Sequence, residues 1–155
     1  MTTNSASASV ASAAHPASSS APISTDSYGR SASGRRLGVY ITVRDAVQLF
    51  GDSGFRHVLV VDGAGRLEGV VSDRDALRAL ARGHDAGATR VASIMAREPV
   101  VTTSDTTLAD AIDLVVFHGI HCLPVVDATG VLCGIVTTTD LLGAFRTLLG
   151  RRGRA

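Results

Sequence analysis

The sequence predicts a mixed α/β (α+β) fold made of two copies of one unit, preceded by a disordered Ala/Ser-rich tail. The first observation is an internal repeat: residues 69–75 (GVVSDRD) return as residues 134–140 (GIVTTTD), 65 positions later. The second is that the predicted strands are almost entirely apolar and alternate with helical patterns, which favours strands covered on both faces by helices. A duplicated unit usually builds a pseudo-symmetric cleft, and clefts bind ligands.

The N-terminal segment, residues 1–35, is expected to be disordered. It consists mostly of Ser, Ala and Thr with almost no large apolar side chain, so it cannot bury enough surface to offset its chain entropy. It lacks the basic and apolar regions of a signal peptide, and no run of about 18 apolar residues predicts a membrane span.

The first unit is predicted at residues 36–83. Apolar residues at helical spacing, apolar strands and an Asp-Gly-Ala-Gly turn between the strands define its elements. These elements are a helix, two strands and a second helix, at residues 43–50, 57–61, 67–71 and 73–82.

A polar linker at residues 84–90 precedes the second unit, predicted at residues 91–149, and a basic tail follows at residues 150–155. Gly119 is expected to end the first helix of this unit as its C-cap. One unit alone would leave apolar helix surface in water, so the two units are expected to pack face to face and bury it. The elements of the second unit are a β-prone lead-in, a helix, two strands and a helix, at residues 100–102, 108–118, 122–126, 131–136 and 138–149.

Composition excludes several kinds of chemistry. All 15 basic residues are arginine, so no Walker-type loop, Schiff-base lysine or lysine general base exists. The net charge of +1 gives no field that favours nucleic acid or an anionic membrane. Cys122 and Cys133 are expected to be small buried residues in a reducing cytoplasm. His118 should end a helix while His121 and Cys122 alternate along a strand, so we expect no metal site. No Ser/His/Asp or Cys/His arrangement has a recognisable sequence context, so we expect no catalytic centre.

The candidate site lies where two apolar strands become helices. Ser72 and Asp75, and again Thr137 and Asp140, have the spacing of a capping box, and for one isolated copy a helix cap is the ordinary interpretation. The same geometry also suits a nucleotide, because a helix N-terminus attracts phosphate and an acidic side chain accepts hydrogen bonds from ribose. Duplication in one register, with the preceding glycine retained, favours the functional interpretation.

These segments resemble a known family. Residues 69–75 and 134–140 are similar to the Gly-h-h-Ser/Thr-x-x-Asp signature of CBS domains, named after cystathionine β-synthase. Residues 118–127 (HGIHCLPVVD) resemble the family's hGIxxLPVVD segment, and residues 94–101 resemble its usual opening. The resemblance covers about residues 37–149, and it identifies the chain as similar to a tandem CBS pair, or Bateman module, of the stand-alone bacterial type.

The resemblance implies two β-α-β-β-α units related by pseudo-twofold symmetry in a cytoplasmic, non-catalytic homodimer. It implies a regulatory sensor whose clefts bind an adenosine-containing ligand: AMP, ADP, ATP or S-adenosylmethionine. No obligatory cofactor, membrane or nucleic acid is expected, and the protein target is not specified. The alternative is a structural dimerisation or interaction module with empty clefts.

The resemblance also assigns roles to individual positions. Asp75 and Asp140 would accept the ribose hydroxyls. The residues that would face phosphate are Ser72, Thr137, Arg74 and Thr139. The residues that would flank the base are His57, Val58, His121 and Pro124. The first unit has Leu59 where the second has Pro124, so the two sites are expected to differ in affinity.

Overall fold

A computed structural model of the chain describes residues 30–31 and 36–152. The described part contains four α-helices: α1 (Val43–Ser53), α2 (Asp73–Ala81), α3 (Leu108–His118) and α4 (Thr138–Arg152). Its strands are β1 (Arg30–Ser31), β2 (Arg36–Gly38), β3 (His57–Val61), β4 (Leu67–Ser72), β5 (Ala96–Arg97), β6 (Cys122–Val126) and β7 (Leu132–Thr137). A short 3₁₀ helix spans Val91–Ser93. None of the described helices is both long and apolar enough to cross a membrane.

The first unit forms around the β3–β4 hairpin. The two strands pair antiparallel, and β2 adds to β3 in parallel. Asp62 stabilises the hairpin turn because its Oδ1 accepts hydrogen bonds from the amides of Ala64, at 2.8 Å, and Arg66, at 2.9 Å. Helices α1 and α2 pack together, so the predicted order of helix, hairpin and helix is confirmed for this unit.

The second unit repeats this order through α3, the β6–β7 hairpin and α4. Helix α3 ends at Gly119, whose left-handed φ of 61° confirms the predicted C-cap. The lead-in at residues 100–102 is shorter than a strand and contributes one parallel bridge, between Thr102 and Val125. Helix α4 continues past its predicted end at residue 149, because one interior glycine costs a helix only about 1 kcal/mol.

Each sheet receives an extra strand from the chain segment that leads into the first helix of the other unit. Strand β5 lies near the start of the second unit, ahead of α3, yet it pairs antiparallel with β4 of the first. Strand β1 lies before the first unit and pairs antiparallel with β7 of the second. Strand β1 lies within residues 1–35, the segment expected to be disordered, and it can pair because strand pairing needs backbone amides and carbonyls more than large side chains. The rest of the expected tail lies outside the described residues.

The two hairpins touch each other at their turns. The amide of Leu132 donates to the carbonyl of Gly65 at 3.1 Å, and the amide of Leu67 donates to the carbonyl of Gly130 at 3.4 Å. Because the two bonds exchange equivalent positions of the repeat, the units are related by pseudo-twofold symmetry.

Three apolar clusters form the core. One lies between sheet and helices in each unit, and the third lies between the two sheets. The expectation that helices cover both faces of each sheet is therefore wrong. One face of each sheet packs against helices, and the other packs against the sheet of the other unit. The outer helix faces stay in solvent, with Leu77 67% and Leu142 64% exposed. The expected burial of helix surface between the units is therefore wrong. The third cluster consists of Leu59, Val70, Cys122, Leu132 and Ile135, with Val61, Leu67 and Val126 beside it.

The glycine of the repeated motif has a structural reason in the first unit. Gly69 pairs with Arg97 of β5, and a Cβ at Gly69 would lie 2.7 Å from both the carbonyl oxygen of Ala96 and the sulfur of Met95. Only glycine lets the exchanged strand approach this closely.

The two cysteines differ in their environments. Cys122 is buried as expected, whereas Cys133 is exposed. The expectation for Cys133 is wrong because successive strand residues point to opposite faces. Its neighbour Leu132 takes the inward position and is 1% exposed.

Candidate functional site

Both predicted capping boxes are present. The hydroxyl of Ser72 donates to Asp75 Oδ2 at 2.6 Å and accepts the Asp75 amide at 3.2 Å. The hydroxyl of Thr137 donates to Asp140 Oδ2 at 2.6 Å and accepts the Asp140 amide at 3.4 Å. In each box the carboxylate also accepts the backbone amide of the hydroxyl residue, at 3.0 Å in the first unit and 2.8 Å in the second.

A second contact fixes each helix start beside the residue that directly precedes the first strand of the hairpin. The amide of Asp73 donates to the carbonyl of Arg56 at 3.1 Å, and the amide of Thr138 donates to the carbonyl of His121 at 3.1 Å. These pairs occupy equivalent positions of the repeat, so both helix starts are oriented in the same way relative to their sheets.

The starts of α2 and α4 open into one cavity of about 500 Å³ between the two units. This volume lies within the range of about 300 to 1,000 Å³ that holds a single small ligand. The lining residues belong to residues 53–57, which join α1 to β3, to the helix starts at residues 72–74 and 137–140, and to His121.

Seven of the ten predicted side chains line this cavity: His57, Ser72, Arg74, His121, Thr137, Thr139 and Asp140. The lining does not include Asp75, Val58 or Pro124. Val58 is fully buried, and Pro124 is among the fully buried side chains, so these two positions offer a ligand their backbone only.

Sequence reasoning missed the wall formed by the α1–β3 connection. Ser53, Gly54 and Phe55 line the cavity beside Arg56, as do Asp73 and Thr138 at the two helix starts. No motif marks the connection; its only sequence signal is its place directly before the predicted strand His57–Val61. Asp73 and Thr138 lie inside the repeated motif, but at a position where the two copies differ, so the motif does not mark them as functional.

The two carboxylates of the motif differ in their surroundings. Asp75 Oδ1 lies 3.3 Å from Arg78 Nη1, one turn further along α2. The equivalent position in α4, 65 residues later, is Gly143. Among the residues that the structure describes, Asp140 Oδ1 has no hydrogen-bond or ion-pair partner. One carboxylate is therefore paired with an arginine of its own helix, and the other has an oxygen without a partner in the described part of the chain.

Positive charge is concentrated on the first-unit side of the cavity. Arg56 and Arg74 line it, and Arg56 forms a loose ion pair with Asp73 at 3.7 Å. The amide of Arg74 is satisfied by Asp73 Oδ1 at 2.8 Å. The partial positive charges of two helix N-termini add to this field and favour an anion.

Two histidine rings stand beside the helix starts. The ring centroids of His57 and His121 are 6.4 Å apart with a 43° angle between the planes. Within residues 36–149, no three His, Cys, Asp or Glu side chains converge as metal ligands. The ring of His118 instead contacts that of Phe117 edge to face, with centroids 5.0 Å apart.

Comparison with known proteins identifies the architecture. The family model described as "CBS domain" matches the chain twice, at residues 37–82 and 91–147. The fold is similar to AcuB from Vibrio cholerae, with a TM-score of 0.75 and 29% identity over 88% of this chain and 98% of that one. It is also similar to CBSX2 in complex with AMP, with a TM-score of 0.70 and 26% identity over 81% and 98% of the chains.

A third similar structure is the cytosolic domain of the Mg²⁺ channel MgtE in complex with ATP. Its TM-score is 0.60 and its identity is 32%, over 70% of this chain and 44% of that one. Curated relatives are longer: the chain spans 20% of an inosine-5'-monophosphate dehydrogenase from Nitrosopumilus maritimus, to which it is 31% identical over 100 residues, 64% of this chain. It spans 62% of a 17.7 kDa Acidianus ambivalens protein. With both units matched in order and the pseudo-twofold packing in place, the chain belongs to the CBS domain family and carries two CBS domains in tandem.

Proposed function

We propose that this chain is a non-catalytic regulatory module that binds an adenosine-containing ligand in the cavity between its two units. The observation that carries the proposal is that the starts of α2 and α4 line one cavity of about 500 Å³. The likeness to CBSX2 in complex with AMP and to the MgtE domain in complex with ATP supports an adenine nucleotide as the ligand. We expect the module to act in the cytoplasm, where the exposed thiol of Cys133 would stay reduced.

The side chains of the cavity match the parts of a nucleotide. Asp140 would accept hydrogen bonds from the ribose, as acidic residues do in other nucleotide sites. Arg56 and Arg74, together with Thr139 and the positive ends of the two helix dipoles, would bind phosphate. The tilted rings of His57 and His121 would flank the base.

A ligand in this position touches both units, and that gives it a means of regulation. A ligand shifts a conformational equilibrium only when its affinity differs between the states. Because the phosphate side of the cavity lies mainly on the first unit and Asp140 lies on the second, changing the distance between the units would change the affinity. The ligand would therefore stabilise one arrangement of the pair, which a partner protein then recognises.

The test is calorimetric titration of the full chain with AMP, ADP, ATP and S-adenosylmethionine. We expect at least one of them to bind, and Asp140→Ala to lose that binding. The matched control is Asp110→Ala: Asp110 caps α3 through the hydroxyl of Thr107, at 2.6 Å, but it does not line the cavity. Both variants lose a helix cap, so binding lost in both would point to destabilisation, and no heat with any of the four ligands would refute the proposal.

A second candidate function is a structural dimerisation module, and the outer helix faces favour it. Leu77 and Leu142 occupy equivalent positions of α2 and α4 and are 67% and 64% exposed, and the equivalent pair Leu80 and Phe145 is 37% and 49% exposed. Two equivalent apolar stripes suit a self-complementary contact with a second copy of the chain. Sedimentation velocity should give a homodimer that Leu77→Glu combined with Leu142→Glu converts to a monomer; a monomeric wild type would remove this candidate.

A further inference from the structure

We infer that the pair binds one nucleoside per chain, with Asp140 as the only ribose anchor and with Asp75 as a structural residue. This inference rests on the proposed function and narrows it. The two carboxylates then have different roles although they occupy the same position of the repeated motif.

Asp75 has a hydrogen-bond partner on each of its two carboxylate oxygens. Oδ2 accepts the amide and the hydroxyl of Ser72, at 3.0 and 2.6 Å. Oδ1 accepts from Arg78 at 3.3 Å. Because Asp75 also lies outside the lining of the cavity, a ribose in the cavity would have to displace Arg78 and reach past the start of α2.

Asp140 makes the same helix cap but has no arginine one turn further along its helix. Its Oδ2 is held by Thr137 at 2.6 and 2.8 Å, while Oδ1 is without a partner among residues 36–149. The position one turn further along α4 is Gly143, which has no side chain to offer. Since Asp140 lines the cavity, the cap orients the carboxylate and leaves one oxygen available to a ligand.

The unpartnered oxygen of Asp140 determines which chemical groups a ligand must offer. A fixed carboxylate oxygen accepts hydrogen bonds but donates none, so it selects a partner with hydroxyl donors, such as the 2',3'-diol of ribose. One cavity of about 500 Å³ with one such oxygen and a basic opposite side suits one nucleotide that spans the two units. The ligand class is therefore ribonucleotides with an intact diol.

The experiment is calorimetric titration of the full chain with AMP and with 2'-deoxy-AMP. For the wild type we expect one AMP per chain and at least tenfold weaker binding of 2'-deoxy-AMP. Asp140→Asn should weaken AMP binding at least tenfold and no longer distinguish the two nucleotides. Asp75→Asn is the matched variant, since it alters the equivalent cap, and it should bind AMP within about twofold of the wild type.

The outcomes separate this inference from the function on which it rests. AMP binding at two sites per chain, or a loss on Asp75→Asn as large as that on Asp140→Asn, would overturn the single anchor and leave nucleotide binding intact. Equal affinity of the wild type for AMP and 2'-deoxy-AMP would also overturn the assignment of Asp140 as the ribose anchor. Absence of nucleotide binding by the wild type would overturn the proposed function itself.

Discussion

Replacement of Gly69 by alanine tests the strand exchange that joins the two units. Gly69 lies in β4 opposite β5, a strand of the second unit that leads to α3. An alanine Cβ would meet the carbonyl oxygen of Ala96 and the sulfur of Met95 at 2.7 Å, and Met95 Cγ at 2.9 Å. A carbonyl oxygen on a paired strand cannot rotate away as the end of a flexible side chain can, so β5 has to move.

The magnitude follows from what that movement costs. Overpacking of a core position costs about 1 to 3 kcal/mol, and the backbone hydrogen bonds at risk contribute about 0.5 to 1.5 kcal/mol each. The lower entropy of the unfolded alanine chain offsets about 0.4 to 1 kcal/mol. We therefore expect Gly69→Ala to lower the free energy of unfolding by about 2 kcal/mol, and the melting temperature by roughly 6 to 12 °C.

Urea unfolding followed by circular dichroism measures this change. The control is Gly51→Ala, because Gly51 lies in α1 and a Cβ there would meet nothing within 4 Å beyond its own helix backbone. Alanine at this position should stabilise the helix by about 0.5 to 1 kcal/mol. A Gly69→Ala variant that is as stable as Gly51→Ala would refute the close approach of β5.

Three further predictions concern single side chains. Thr102 is 4% exposed, and its hydroxyl has no hydrogen-bond partner within the described part of the chain. Thr102→Val should therefore raise the free energy of unfolding, measured with urea, by about 1 kcal/mol. A lower free energy of unfolding would contradict this prediction. The pKa of Asp127 is lowered by the hydroxyl of Thr129 and then by backbone amides, so its stabilisation is present above about pH 4 and is lost as the pH falls through the lower folded value. Asp127→Asn should therefore flatten the acid side of the stability profile, and an unchanged profile would argue against the effect. Arg74→Gln should weaken ATP binding and reduce its salt dependence in calorimetry; equal salt dependence in both proteins would exclude a phosphate contact.

The local elements could be predicted from the sequence because their determinants are local. Strands His57–Val61 and Cys122–Val126 occur at the predicted residues, since apolar runs bounded by turn residues define them. The exchanged strands β1 and β5 could not be predicted, because each has two residues and exists only through pairing with the other unit's hairpin. The packing of the two sheets against each other also depends on contacts between residues far apart in the sequence, so it could not be predicted from local patterns.

The candidate site was predictable in part. The repeated motif predicts both helix starts with their caps. Its 65-residue register also shows that Gly143 occupies the position in the second unit that Arg78 occupies in the first. The consequence of that difference needs the structure, because it depends on Arg78 reaching Asp75 at 3.3 Å. The cavity wall at residues 53–56 depends on how α1 packs before β3, and no residue pattern encodes that position.

Amide chemical shifts of the full chain, measured by NMR during titration with AMP, test the central claim most directly. The account predicts that saturating shifts concentrate at residues 72–74 and 137–140, the two helix starts, with a smaller set at residues 53–57. Shifts confined to the outer faces of α2 and α4, or no shifts at millimolar AMP, would contradict a nucleotide held between the two units.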